Sequence, residues 1–501
     1  MAIEKRILLV EPPFYRLFHK RYSLERHPLA LGYLSGTILR DTDWDVRVNN
    51  FDFVPNPQDI EVGYLAGVGY DSYKAHHIDL IKPIWDEIRD YLKKTNPPVL
   101  GITTKTQNWG ATKIVASIAK ELNPEIIVVV GGPHPCHVGT DIFESIDIDI
   151  GVQGEGEITI VELLDALGNG ERLDGVKGIM FRKGDEIVVN PERPYVDDLD
   201  TLVFPHESAP QVLENYDQYP PSMFKSIFWT RGCPYDCLFC GSREIWTRKV
   251  RWRSIDNVME EIRLLRARGV QSIDFADDTF GGNKKKIHEL CQALIERFPG
   301  INWSTEIHIK LVDDETMNWM KKAGCHGLSV GVESGSNEIL KLVRKKITIE
   351  EAYEACRIIR RNDIEAHCFF IVGFPWETES TLLETVEAIK IIEADSVVYS
   401  IFMPYPGSEA YRFCVQEGII SKDFNISLHN HQSPENCFCK YITKTRFREL
   451  VTEVEKMVDQ QNRRQRIRRL FSKNTVWRIK EKGLWGSARK GYHMLVGRST
   501  P

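Results

Sequence analysis

The chain has 501 residues, 42% hydrophobic and 27% charged, a balance that excludes a disordered or low-complexity protein and allows about three domains with cores of their own. No apolar run reaches the roughly 20 residues of a membrane span, and Met1-Ala-Ile-Glu-Lys-Arg-Ile-Leu-Leu-Val-Glu11 has four apolar residues in a row, too few for a signal-peptide core. The net charge of −6 conceals an asymmetry: residues 463–498 hold twelve Lys or Arg and one acid, which leaves 53 basic against 70 acidic residues, or −17, on the rest.

Strand-like runs and helical periods alternate from the start: Arg6–Val10, an amphipathic stretch over 28–40, Asp45–Val48, Val99–Thr103, a helix over 111–122 and Ile126–Val130. This rhythm predicts a doubly wound parallel sheet, whose ligands lie beyond the carboxyl ends of the strands. Those ends hold Pro12, Thr104 and Thr106, the Gly131-Gly132-Pro133-His134 turn, and Gly154-Glu155 within Gly-Val-Gln-Gly-Glu-Gly-Glu. No G-x-G-x-x-G follows the first strand, so a dinucleotide is not expected. Glycines at strand ends admit a large flat ligand to the backbone, and the threonines can donate to its polar edge.

A hairpin-like stretch over 179–189 and a proline-spaced 191–205 read as a connector. From 221 a second alternation begins, with strands at Ser226–Thr230, Ser272–Ala276, Ile301–Ser304, Gly327–Val332, Ala366–Val372 and Val397–Phe402. Six strands with crossover helices predict a parallel barrel or open sheet that works at its carboxyl strand ends. After the first of these strands comes Thr-Arg-Gly-Cys233-Pro-Tyr-Asp-Cys237-Leu-Phe239-Cys240. With eleven cysteines in the chain, roughly 0.005 such triplets arise by chance. Zinc prefers paired C-x2-C units with a fourth ligand nearby; three thiolates suit a four-iron cluster with one iron left open. The other eight cysteines are scattered, as reduced thiols are in a cytoplasmic protein.

The loop, with Phe239 before its last cysteine, resembles the signature of radical S-adenosylmethionine (SAM) enzymes. In that family the open iron binds SAM, and an electron from the cluster releases a 5′-deoxyadenosyl radical. Pro-Leu-Ala-Leu-Gly-Tyr-Leu over 28–34, Gly-Gly-Pro-His and Gly-Glu-Gly-Glu, in this order before the loop, resemble the cobalamin-binding domain that precedes many radical SAM domains. The D-x-H-x-x-G motif of other cobalamin proteins is absent, and neither His134 nor His137 lies in its frame. The resemblance implies an α/β chain: a Rossmann-like cobalamin-binding domain over 1–196, a linker over 197–220, a partial (β/α)6 radical SAM barrel over 221–411, and a small, mainly helical, substrate-covering segment over 412–501. It implies that Cys233, Cys237 and Cys240 hold a 4Fe-4S cluster. It also implies that Phe239, Ala276, Asp277, Asp278, Glu306, Glu333, Ser334 and Gly373 lie against SAM, and that Pro12, Thr104, Thr106, Gly131, Gly132, Pro133, His134, Gly154 and Glu155 lie against cobalamin. Asp277, Asp278 and Glu377 also read as helix caps, and His308, Tyr399 and Tyr405 read as either substrate contacts or barrel filling.

In the last ninety residues His429, His431, Cys437 and Cys439 match a tetrahedral zinc set in number, but H-x-H and C-x-C spacing around a turn favours a loop over the active site. The basic tail, with Trp477 and Trp485 among its cations, reads as a solvated helical face, as a segment at an anionic membrane surface, or as a phosphate-binding patch without a recognised RNA module. The whole pattern implies a cobalamin-dependent radical SAM methyltransferase that transfers a methyl group from methylcobalamin to an unactivated carbon or phosphorus of a substrate radical. A rearrangement, oxidation or cyclisation with the same cofactors, a radical SAM reaction without cobalamin, and a non-catalytic binding protein remain as alternatives. A small-molecule or lipid-like substrate and a reducing donor protein are the implied partners; nucleic acid is not expected.

Overall fold

The structure is a computed structural model that describes residues 3–246, 248–421, 424–429, 431 and 433–470, the last five as backbone alone. The basic tail from 471 onward, with its two tryptophans, lies outside the described residues. The described residues pack as two compact units: those within 3–270, 276–282 and 401–438 form the first, and those within 271–275, 283–400 and 439–470 the second.

The first unit is built on a seven-stranded sheet, β1 (Arg6–Glu11), β2 (Asp45–Asn50), β3 (Val99–Thr103), β4 (Ile127–Gly131), β5 (Ile150–Val152), β6 (Ile179–Lys183) and β7 (Glu186–Val189), in the order β2-β1-β3-β4-β5-β6-β7. The pairs from β2 to β5 are parallel. The central strands are continuous apolar runs because helices cover both faces, whereas β2 alternates buried Val46 and Val48 with exposed Asp45 and Arg47. Leu8, Val10, Leu100 and Val128 meet Trp85, Tyr73 and Phe18 in the core under one face. The direction of crossover reverses between β1 and β3, so the ligand crevice of this topology opens beyond their ends, at Pro12 and Thr104.

The hairpin expected as a connector is part of this sheet: β6 pairs antiparallel with β5, and β7 with β6. Residues 197–220 pack against it as well. Glu214 donates its backbone N–H to Val48, and Tyr219 stacks on Phe53 with ring centroids 3.8 Å apart. The helix Leu29–Asp41 approaches Pro205 so closely that a Cβ on Gly32 would stand 2.3 Å from the Pro205 carbonyl oxygen. The expected strand Ser226–Thr230 is two short strands in this unit, β8 (Ser226–Ile227) and β9 (Thr230–Arg231); β9 pairs antiparallel with β10 (Arg251–Trp252).

The second unit carries the other expected strands, β11 (Ser272–Phe275), β12 (Asn302–Glu306), β13 (Cys325–Glu333), β14 (Glu365–Val372) and β15 (Ser396–Ile401), side by side in chain order. The pairings β11–β12, β12–β13 and β13–β14 are parallel. The intervening helices start at strong caps, such as the capping box of Thr348 and Glu351 on Ile349–Arg361. The helix Lys444–Leu470 lies on the outer strand, where the Asn462 amide bonds both the N–H and the carbonyl of Val397 at 2.8 Å and Gln461 donates to the Ile392 carbonyl at 2.7 Å. Among the described residues no helix is long and apolar enough to cross a membrane.

Candidate active site

The cysteine loop leaves β9 in the first unit. Gly232 at φ +103 turns the chain, Cys233 and Cys237 are half-buried, and Cys240 is exposed. A turn from the Cys237 carbonyl to the Cys240 N–H, at 3.2 Å, shapes the last three residues. Just before this loop, Asp277 Oδ1 accepts the N–H groups of Trp229 at 2.8 Å and Thr230 at 3.0 Å. Burial pushes this carboxyl up to about 7 against those bonds. Asp277 therefore holds, through Oδ1, the strand that delivers the cysteines. Asp278 is exposed and accepts from the Gly232 N–H. Ala276 donates its N–H to the Ile227 carbonyl at 2.9 Å. Phe239 is half-buried in the loop.

Around the crevice of the first sheet, Pro12 is buried at the end of β1. Thr104 is buried with Oγ1 3.2 Å from that of Thr112 and its N–H on the Gly131 carbonyl at 2.7 Å. Gly132 adopts φ +100, and a Cβ there would stand 2.9 Å from the Thr104 carbonyl oxygen. After Pro133, the buried His134 places Nδ1 3.2 Å from Thr106 Oγ1 and its ring 4.6 Å from that of Trp109. Burial pulls this imidazole down to about 3, so it stays neutral. Gly154, at φ +75, has nothing within 4 Å of its missing Cβ.

Glu155 departs from its expected role. Its oxygens take Arg231 at 2.7 Å, Arg251 through two bonds of 2.9 Å, and the Val196 N–H at 2.6 Å, while Glu157 takes the other Arg231 nitrogen. Burial works to raise the Glu155 carboxyl, but the two guanidinium groups hold it below the usual range. This carboxylate is engaged by protein, and Arg231, Arg251 and Glu157 join the site without standing among the sequence-predicted site residues. The signals in the sequence are the place of Glu157 in the Gly-Glu-Gly-Glu turn and of Arg231 directly before the cysteine loop.

In the second unit the strand ends lie as expected, but their polar groups are mostly spoken for. Glu306 is exposed at the end of β12. Glu333 is buried in the left-handed region at φ +69, beside a register shift in β13, and bonds Lys345 Nζ at 2.7 Å. Ser334 is buried, with Oγ 3.2 Å from Thr385 Oγ1 and 3.1 Å from the Ser336 N–H. Gly373 turns at φ +90, and Glu377 accepts its N–H and that of Phe374. Glu377 thus secures its own turn; the cap of the next helix is Thr378. His308 is buried, with Nδ1 accepting the Lys310 N–H at 3.2 Å, and Tyr399 is half-buried. Tyr405, in the first unit, accepts from Gln107 Nε2 at 3.0 Å.

Among the described residues no three His, Cys, Asp or Glu side chains are gathered as a metal cage. His429 donates to the Asn425 carbonyl at 3.0 Å and packs on Phe424 with centroids 4.4 Å apart. The cysteine loop carries three soft donors that are not drawn together in this structure, a set suited in chemistry and spacing to iron–sulfur ligation once the metal gathers the thiolates. At the carboxyl ends of the first sheet Gly154 faces open space, while the Thr104–Gly132 turn packs backbone against backbone.

Comparison with known proteins assigns the same chemistry. Residues 22–164 match the B12 binding domain family and residues 227–389 match the Radical SAM superfamily. The chain belongs to the radical SAM enzymes that carry a B12-binding domain ahead of the radical SAM domain, a membership that implies a 4Fe-4S cluster, SAM and cobalamin. The two matched stretches fall inside the segments 1–196 and 221–411. An uncharacterized methyltransferase of Pyrococcus horikoshii is 28% identical over 424 residues, 83% of this chain and 84% of its own. The anaerobic magnesium-protoporphyrin IX monomethyl ester cyclase of Rubrivivax gelatinosus is 30% identical over 70% of this chain and 64% of its own. The structure of the radical SAM methyltransferase TsrM from Kitasatospora setae, with cobalamin and a [4Fe-4S] cluster bound, shares the fold with a TM-score of 0.65 at 17% identity over 91% of this chain and 89% of that chain.

Proposed function

We propose that this protein is a cobalamin-dependent radical SAM methyltransferase acting on an unactivated carbon or phosphorus of a small molecule. The observation that carries the reading is the cysteine loop, led by a strand that Asp277 fixes, in the same unit as the glycine turns of the first sheet. The match to a methyltransferase over more than four fifths of both chains supports methyl transfer. The match to a cyclase keeps a second outcome, ring closure without methyl transfer, as the competing reading.

Cys233, Cys237 and Cys240 hold the cluster, and the turns at Thr104, Gly132 and Gly154 hold cobalamin. When bound, the cluster supplies the electron that cleaves SAM, and cobalamin supplies the methyl group. The protein's own contribution is position. Asp277 fixes the strand before the first cysteine, His134 stays neutral beside Thr106, and Glu377 keeps the Gly373 turn in one shape. A reducing protein is the expected electron donor. The basic run over 463–498 supports contact with an anionic surface, which would bring lipid-like substrates within reach.

The reaction class is read from the products. Reduced, reconstituted protein given SAM and a small-molecule extract should form both S-adenosylhomocysteine and 5′-deoxyadenosine, and Cys237→Ala should lose deoxyadenosine while keeping bound cobalamin. Deoxyadenosine without S-adenosylhomocysteine would favour the cyclase-like outcome, and normal deoxyadenosine from the variant would refute the cluster assignment.

A further inference from the structure

The cysteine loop is gripped at both ends by the turns that follow β4 and β5. At its entrance Arg231 reaches Glu155 and Glu157 in the turn and first helical residues after β5. Arg251, paired to β9 from β10, bonds the same Glu155. Two carboxylates and two guanidinium groups are thus buried as a neutral set, with Arg231 lying over the rings of Tyr33 at 5.2 Å and Trp246 at 5.7 Å. At its exit His137, from the helix Pro133–Val138 after β4, donates Nε2–H to the Gly241 carbonyl at 3.0 Å. The imidazole fits only because Gly241 and Gly407 lack side chains: a Cβ on either would stand 2.7 Å from the ring.

We propose that these two grips couple the cluster site to the cobalamin site, so that filling one tightens the other, with Arg231 and His137 as positioning residues for both. The inference rests on the two-cofactor reading above. Its physical basis is the cost of stretching the network. Shifting the loop without the turns would leave buried charges uncompensated, so the loop and the turns order together. A cofactor that orders one side removes part of the ordering cost on the other, and such coupling is reciprocal.

The experiment is a hydroxocobalamin titration of the full chain before and after anaerobic assembly of the cluster from iron and sulfide. Wild type should bind cobalamin at least about fivefold more tightly with the cluster in place, the lower end of common coupling between sites. In the charge-neutral pair Glu155→Gln with Arg231→Gln, which leaves the His137 grip in place, the ratio should fall clearly below the wild-type value. Arg231→Lys, which keeps the charge, should restore part of it. A purely structural role would weaken both affinities and leave their ratio unchanged. Should the double variant fail to fold by circular dichroism, His137→Ala provides the same test at the other grip, again with a reduced ratio. A wild-type ratio of one, or a variant ratio equal to wild type, overturns the coupling alone. A wild-type chain that takes up no cobalamin overturns the functional reading and the coupling together.

Discussion

Glu377 shows how a carboxylate is used here as a neutral clamp. It is fully buried and bonded to the N–H groups of Gly373 and Phe374, and burial pushes it up to about 8. Between its ordinary value near 4.5 and 8 the unfolded chain has lost the proton that the native state keeps, so this group's contribution to stability falls as pH rises through that window and levels off above it. Glu377→Gln keeps an acceptor for the two N–H groups and does not titrate. The variant's stability advantage over wild type, followed by thermal unfolding, should widen from pH 5 to pH 8, with a ceiling on the order of 4 kcal/mol in unfolding free energy at about 1.36 kcal/mol per pH unit; a gap independent of pH would contradict the buried neutral form. The cysteine motif could be read from the chain because its spacing is local and chemically selective. Glu155 could not be placed in the same way, since its partners Arg231 and Arg251 lie 76 and 96 residues away and no periodicity links them. Glu377 lies three and four residues from its partners, so turn geometry was the signal that a reading focused on ligands and caps passed over.

At the level of elements, the turns after strands decide what the two sites can hold. Gly132 adopts a left-handed conformation and packs against the Thr104 carbonyl, so Gly132→Ala meets both backbone strain and a clash. A forced conformation of this kind costs about 1–3 kcal/mol. The variant should retain hydroxocobalamin about tenfold less well while its iron content stays at the wild-type level; unchanged retention would remove this turn from the cobalamin site. The alternation of apolar runs and helical periods gave the strands of both sheets, because buried parallel strands are long and uninterrupted in sequence. It did not give the split of 226–230 into two short strands, where Asp277 takes the backbone N–H groups of Trp229 and Thr230 and Trp229 packs on Phe280 at 5.3 Å. Nor did it show that the 179–189 hairpin extends the first sheet, since antiparallel pairing with β5 depends on residues some thirty positions upstream.

For the whole molecule, the order of the two matched domains implies an enzyme that holds an iron–sulfur cluster, SAM and cobalamin on one chain. The cysteines, the glycine turns and the buried Glu–Arg set that joins them all belong to the first unit, while the Glu333 and Gly373 strand ends belong to the second. The most direct test is anaerobic reconstitution with iron, sulfide and hydroxocobalamin, followed by desalting, an absorption spectrum, and measurement of bound iron and cobalt. About four irons and one corrin per chain are expected, with Cys237→Ala losing the iron and keeping the cobalt. A chain that assembles the cluster but emerges without cobalt would contradict the two-cofactor account.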